Sequence, residues 1–215
     1  MELDYVSNIM DKIFERTKGY ECFNGRVDKM YVRRRTFYPL EPCGDGSLAV
    51  KGEIEYKEML MEDLKAIIKE LEEQEKELQF DHFDSQDALK IGMALIEEAK
   101  NRNNKICLDV QIAGRRLFHY SSDGNAVSND VMIERKKNTA MYTGHSSLWA
   151  HYMLKSMGMS IDEKWHLDPS QYAEVGGAFP VRLRNCPTVI GTITVSGFAH
   201  TIDHGIIVDV LRNIM

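Results

Sequence analysis

Hydrophobic positions recur along this chain with two periods, and the changes of period mark out its elements. From 58 to 78, Leu60, Leu64, Ile67, Ile68 and Leu71 share one helical face while Glu and Lys fill the rest. This predicts a helix with a solvated acidic side. Asp84 or Ser85 is placed to cap a second helix reaching about Arg102. Ala88, Leu89, Ile91, Met93, Ala94, Leu95, Ile96 and Ala99 nearly encircle it, so deep burial is expected. The period then drops to two. Ile106, Leu108, Val110 and Ile112 alternate with Cys107, Asp109 and Gln111, the pattern of a half-buried strand. Ala113–Gly114 reads as a tight turn into a returning strand, Arg115–Tyr120.

Two helices follow. Ser128 or Asn129 begins one that runs to about Tyr142, broken at Thr143–Gly144, and His145 or Ser146 begins another that Gly158 ends. Residues 159–175 read as a polar connection. A second strand pair, turning near Asn185–Pro187, leads into a closing helix over 201–213. Strand pairs joined by hairpins give an antiparallel sheet with helices laid on it, so the fold class is α+β.

The first 57 residues differ in texture. Val6, Met10, Ile13 and Phe14 have helical spacing, Lys29–Tyr38 alternates like a strand, and Pro39–Gly46 is rich in turn residues. Leu48–Val50 with Ile54–Tyr56 suggests a further short strand. The expected organisation is an N-terminal appendage, 1–57, and a main domain, 58–215, able to fold alone.

Composition narrows the function classes. The net charge of −6 gives no basic field for nucleic acid. No run of about 18 apolar residues suits a membrane span, and the acidic start lacks the features of a signal peptide. Cys22, Cys43, Cys107 and Cys186 have no metal-binding spacing and suggest free thiols in the reducing cytoplasm. No histidine pair has clear zinc-ligand spacing, so no metal site is expected.

Candidate chemistry gathers in the second half. Arg135 and Asn138, three apart on a helix, can face one carboxylate or phosphate, although an ordinary solvated face has the same pattern. His145 and Ser146 sit at a helix start, where free amides can hold an anion or where Ser146 simply caps. Gly176 and Gly177 allow close backbone approach or a bulge, with Phe179 as core. Arg182 on the outgoing strand can pair with Asp109 or Asp203, or face a ligand. Asp203 and His204 open the closing helix. Arg135, Asn138, Gly177, Arg182, Asp203 and His204 are expected to share one cleft.

The same residues carry a resemblance. Gly176-Gly177-x-Phe179-Pro180-x-Arg182, then Val189-Ile190-Gly191-x-x-Thr194-Val195-Ser196-Gly197, then Asp203-His204 is similar to the uncharacterised protein family 0303. That family sits in the haem-degrading or GlcG-like group, with the C-terminal domain of PduO-type corrinoid adenosyltransferases as a more distant relative. Phe80–Phe83, Leu117-Phe118, Glu134–Asn138 and Gly144–Ser147 fit as well, so the resemblance covers about residues 60–215. It implies a profilin-like sheet of about five strands, the fifth near Tyr172–Gly177, and a homo-oligomer larger than a dimer. It also implies an anionic small-molecule ligand of haem or corrinoid type. Two other classes stay open: a structural homo-oligomer without a ligand, and an enzyme using Arg135, Arg182 and His204 on an anionic metabolite.

Overall fold

In the computed structural model, residues 47–215 are described, with side chains from residue 59 onward. The helix, strand and turns expected between residues 6 and 46 lie outside the described residues. The compact unit considered below spans Lys51–Met215.

Helix α1, Ser47–Glu77, is longer than its apolar face suggested. It takes in Leu48–Val50 and Ile54–Tyr56, which therefore form no strand. Helix α2, Ser85–Asn101, starts at a reciprocal cap: the Asp84 side chain accepts from the Gln86 and Asp87 amides, while Asp87 accepts from the Asp84 amide. Only one side of α2 is deeply buried; Leu89 and Met93 are exposed.

The sheet contains β1, Cys107–Ile112; β2, Arg115–Ser121; β3, Ala178–Leu183; and β4, Cys186–Ser196. Their spatial order is β2-β1-β4-β3, antiparallel throughout. The β1–β2 turn places Ala113 and Gly114 at φ of 48° and 78°, the left-handed pair that matches strand twist in a two-residue hairpin. The described strands number four. Residues 172–177 form no fifth; beside β3, Phe80 instead makes a single parallel bridge to Leu183.

Helices α3, Val127–Thr143, and α4, Ser147–Met157, join through the left-handed cap at Gly144. The connection expected to be irregular holds a short helix α5, Ile161–Trp165, begun by a Ser160/Glu163 capping box. Helix α6, His200–Ile214, completes the unit.

The sheet is covered on both sides. Leu108, Val110, Phe179, Val181, Ile193 and Val195 pack with α2 and α6 in one hydrophobic cluster. The alternate residues lie on the α3 side, and they are not half-solvated as the alternation suggested. Cys107, Asp109, Thr192 and Thr194 are fully buried, and Ser196 nearly so. Helix α3 suits that polar surface because its own buried residues, Ile133, Lys136, Thr139 and Ala140, mix polar with apolar.

Candidate functional site

The residues expected to form one cleft divide into three settings. Arg135 and Asn138 do lie together, but both reach the loop after α5. Arg135 Nη2 donates to the Pro169 carbonyl at 2.7 Å and Asn138 Nδ2 donates to the Gln171 carbonyl at 2.9 Å. Thr139, one residue on, exchanges hydrogen bonds with Ala173, accepting from its amide and donating to its carbonyl. This helix face fastens the segment that leads into β3.

The second setting lies at the end of the sheet. Lys136, the neighbour left out of the sequence-based set, reaches inward where Arg135 does not. Its ammonium donates to Asp203 Oδ2 at 2.7 Å and to the Val195 carbonyl at 3.0 Å, with both side chains almost fully buried. The Phe198 amide donates to Asp203 Oδ1 at 2.9 Å. Burial nevertheless raises the Asp203 pKa to about 6, against the lowering pull of Lys136. Gly177 packs against this pair at φ 124°. A Cβ there would stand 2.8 Å from Lys136 Nζ and 2.9 Å from Asp203 Cβ. Gly176 is equally confined by Leu148 and donates its amide to His200 Nδ1 at 3.4 Å. Phe179 is core, as expected.

His204 does not pair with Asp203. Its Nε2 meets Gln74 Oε1 of α1 at 2.9 Å, while Nδ1 is buried without a partner among the described residues. Burial lowers its pKa to about 4, so the ring is neutral near pH 7.

The third setting contains a cavity of about 600 Å³, lined by residues including Glu72, Glu75, Lys76, His145, Arg182 and Arg184. The start of α4 holds an anion, and the anion is the protein's own. Buried Glu75 accepts from the Ser146 amide at 2.7 Å and meets His145 Nδ1 at 2.8 Å. A carboxylate only accepts, so His145 Nδ1 carries the proton and Nε2 is left as the available nitrogen. The His145 ring stacks on Trp149, with centroids 4.0 Å apart. Trp149 Nε1 in turn donates to Glu72 at 3.1 Å. Ser146 accepts from the Trp149 amide and so caps α4 as expected.

Arg182 pairs with neither Asp109 nor Asp203. It donates to the Pro187 carbonyl at 2.7 Å and to the Gly144 carbonyl, tying the β3–β4 turn to the α3–α4 junction. The arginines proposed for metabolite chemistry are thus engaged with backbone carbonyls, and His204 is enclosed.

Glu75 escaped the sequence-based set because the acidic side of α1 read as solvated. A signal was present: Leu64, Ile68, Leu71, Glu75 and Leu78 are all buried and continue one alternating four-three spacing. Lys136 likewise falls at buried-stripe spacing between Ile133 and Ala140.

The family model described as "Haem degrading protein HbpS-like" matches residues 83–212. The chain belongs to the HbpS-like family. A UPF0303 protein of Streptomyces coelicolor is 37% identical over 145 residues, covering 67% of this chain and 91% of that one. Among solved structures, that of the Ybr137w protein is similar with a TM-score of 0.65 and 28% identity, covering 73% of this chain and 94% of that one. The structure of a PduOC:heme complex is similar with a TM-score of 0.53 and 16% identity, covering 61% and 94%. These likenesses establish the HbpS-like fold for the matched part of the chain. No described helix is long and apolar enough to cross a membrane.

Proposed function

We propose that this protein binds an anionic tetrapyrrole of the haem class in the cavity beside His145. The observation that carries this reading is the posture of that histidine: Glu75 holds Nδ1, and Nε2 makes no hydrogen bond to a described residue. A carboxylate on the far ring nitrogen orients an imidazole and strengthens it as an iron ligand. Lys76 and Arg184 line the same cavity and suit propionate groups, while Arg182 fixes the wall. The family description and the haem-bound structural relative favour this ligand class over other anions. When bound, such a group supplies a redox-active iron; this chain's own residues bind it, orient it and set its electrostatic surroundings.

The test is titration of the full chain with haemin. A Soret band saturating at one haem per chain is expected, with His145→Ala changing its position and Arg184→Ala weakening binding. No saturable band in folded protein would reject the ligand, and an unchanged band in His145→Ala would reject the axial residue.

A second reading concerns assembly. We infer a homo-oligomer, because Val127, Val131, Leu89 and Met93 are exposed and β2 forms an outer edge of the sheet. Light scattering above dimer mass is expected, and monomer mass at micromolar concentration would reject it. A cytoplasmic location accords with Cys107 and Cys186 being free thiols.

A further inference from the structure

On the α3 side of the sheet, away from the residues assigned to the cavity, three different ligand types converge from three elements. Cys107 of β1, His119 of β2 and Asp130 of α3 each place one donor atom within 4.8 Å of the others. His119 Nε2 lies 3.2 Å from Asp130 Oδ1, and Cys107 Sγ lies 3.4 Å from the same oxygen. Zinc bonds of about 2.0–2.3 Å in tetrahedral geometry require donor separations of roughly 3.3–3.8 Å. Two of the edges therefore already stand at or close to the length an ion needs.

We propose that Cys107, His119 and Asp130 form a three-residue site for a divalent ion of the zinc class, with a fourth position open to water. A second observation points the same way. Asp109 is fully buried opposite His119 in the register, its Oδ1 has no hydrogen-bond partner among the described residues, and its Oδ2, ion-paired with Arg116, also lies 3.4 Å from His119 Nδ1. This is the outer carboxylate that turns a metal-bound imidazole, leaving Nε2 for the ion.

Charge fits as well. With Cys107 as thiolate, it, Asp109, Asp130 and Glu134 exceed their cationic neighbours Arg116 and Lys137 by two charges, which is the charge of the ion. The thiol proton leaves to solvent as the metal–sulfur bond forms. A thiolate, an imidazole and a carboxylate select zinc, cobalt or ferrous ions over magnesium or calcium. His119 and Asp130 remain partly exposed, which gives the ion a path in.

The experiment is titration of metal-free, reduced full-length protein with Co²⁺ alone and then displacement by Zn²⁺. A near-ultraviolet sulfur-to-cobalt band at one ion per chain is expected, lost in Cys107→Ser and kept in Cys186→Ser. Asp109→Asn should weaken affinity about 10- to 100-fold. In the unmodified chain, one equivalent of Zn²⁺ should abolish the cobalt band; this measurement stands even where a variant fails to fold. Absence of the band in folded protein, its persistence in Cys107→Ser, or its survival of excess Zn²⁺ overturns the site.

Discussion

The two faces of the sheet are both buried, yet they are built on opposite chemistry from alternate residues of the same strands. Val195 and Ile193 enter an unbroken apolar cluster with α2 and α6. Ser196, Thr194 and Thr192 on the other side meet α3, whose buried stripe includes Lys136 and Thr139. The apolar face gains stability from any well-packed hydrophobic neighbour. The polar face is stable only while each group keeps its particular partner, because an unpaired buried group costs far more than a pair gains. The oily side therefore holds the fold, and the polar side holds its groups in fixed positions.

The sharpest way to break this contrast is at Lys136. Lys136→Met leaves Asp203 buried without its cation and should cost about 3–5 kcal/mol in urea unfolding, whereas adding Asp203→Leu should recover most of that loss. A cost below about 1 kcal/mol for the single change would show that the pair is not what organises this end of the sheet.

Next in size is a comparison along β4. Ile193→Ala should cost about 2–5 kcal/mol through the cavity it leaves. Thr194→Val, one residue away, should cost about 1 kcal/mol, since it removes only a 3.5 Å contact with Thr192. Equal costs would erase the difference between the faces.

Acid should act third. His204 and His200 both have pKa values lowered to about 4 by burial, from an ordinary 6.5. Between those limits the unfolded chain binds more protons than the native one, so stability falls as pH drops from 6.5 toward 4. The His204 share is up to roughly 3 kcal/mol. Asp203 opposes it: with its pKa raised from 3.8 to about 6, it binds its proton first in the folded state and adds stability over the same descent. Two histidines outweigh one carboxyl, so the net effect is destabilising. His204→Gln, which keeps a donor for Gln74, should flatten the acid limb in a pH series of melting curves; an unchanged limb would remove His204 from the account.

The smallest effect is expected from deleting residues 1–57. Both faces lie within 58–215, so the fragment should unfold in one transition, within about 1 kcal/mol of the full chain. Separate transitions by near- and far-ultraviolet circular dichroism would show that the faces are not one cooperative unit.

What the sequence revealed follows the same division. The hairpins, the Asp84 cap and the stops at Gly144 and Gly158 were legible because period and turn chemistry act locally. Among the apolar positions, Phe179 was rightly placed in the core. The polar face was underestimated because Asp109 alternates with Leu108 and Val110 as a solvent-facing residue would, and only the placement of α3 shows that it is covered. Lys136 was passed over for Arg135 because both look equally fit for a surface, and Glu75 because a glutamate inside an apolar stripe is outnumbered by exposed ones. Helix α5 left a readable mark in Ser160 and Glu163, but its five residues are too few for periodicity to show.

The register of β1 has a consequence for the order of assembly. Its neighbour on one side, β2, follows immediately, but on the other side Cys107 pairs with Ser196 and Ile112 with Gly191. During synthesis the first hairpin is complete long before that flank is closed, and its open edge must wait while α3, α4 and α5 emerge. Closing such a distant pairing is slow because the intervening chain must be ordered first. Until β4 docks, the unpaired backbone groups along that edge of β1 are open to pairing with the wrong strand.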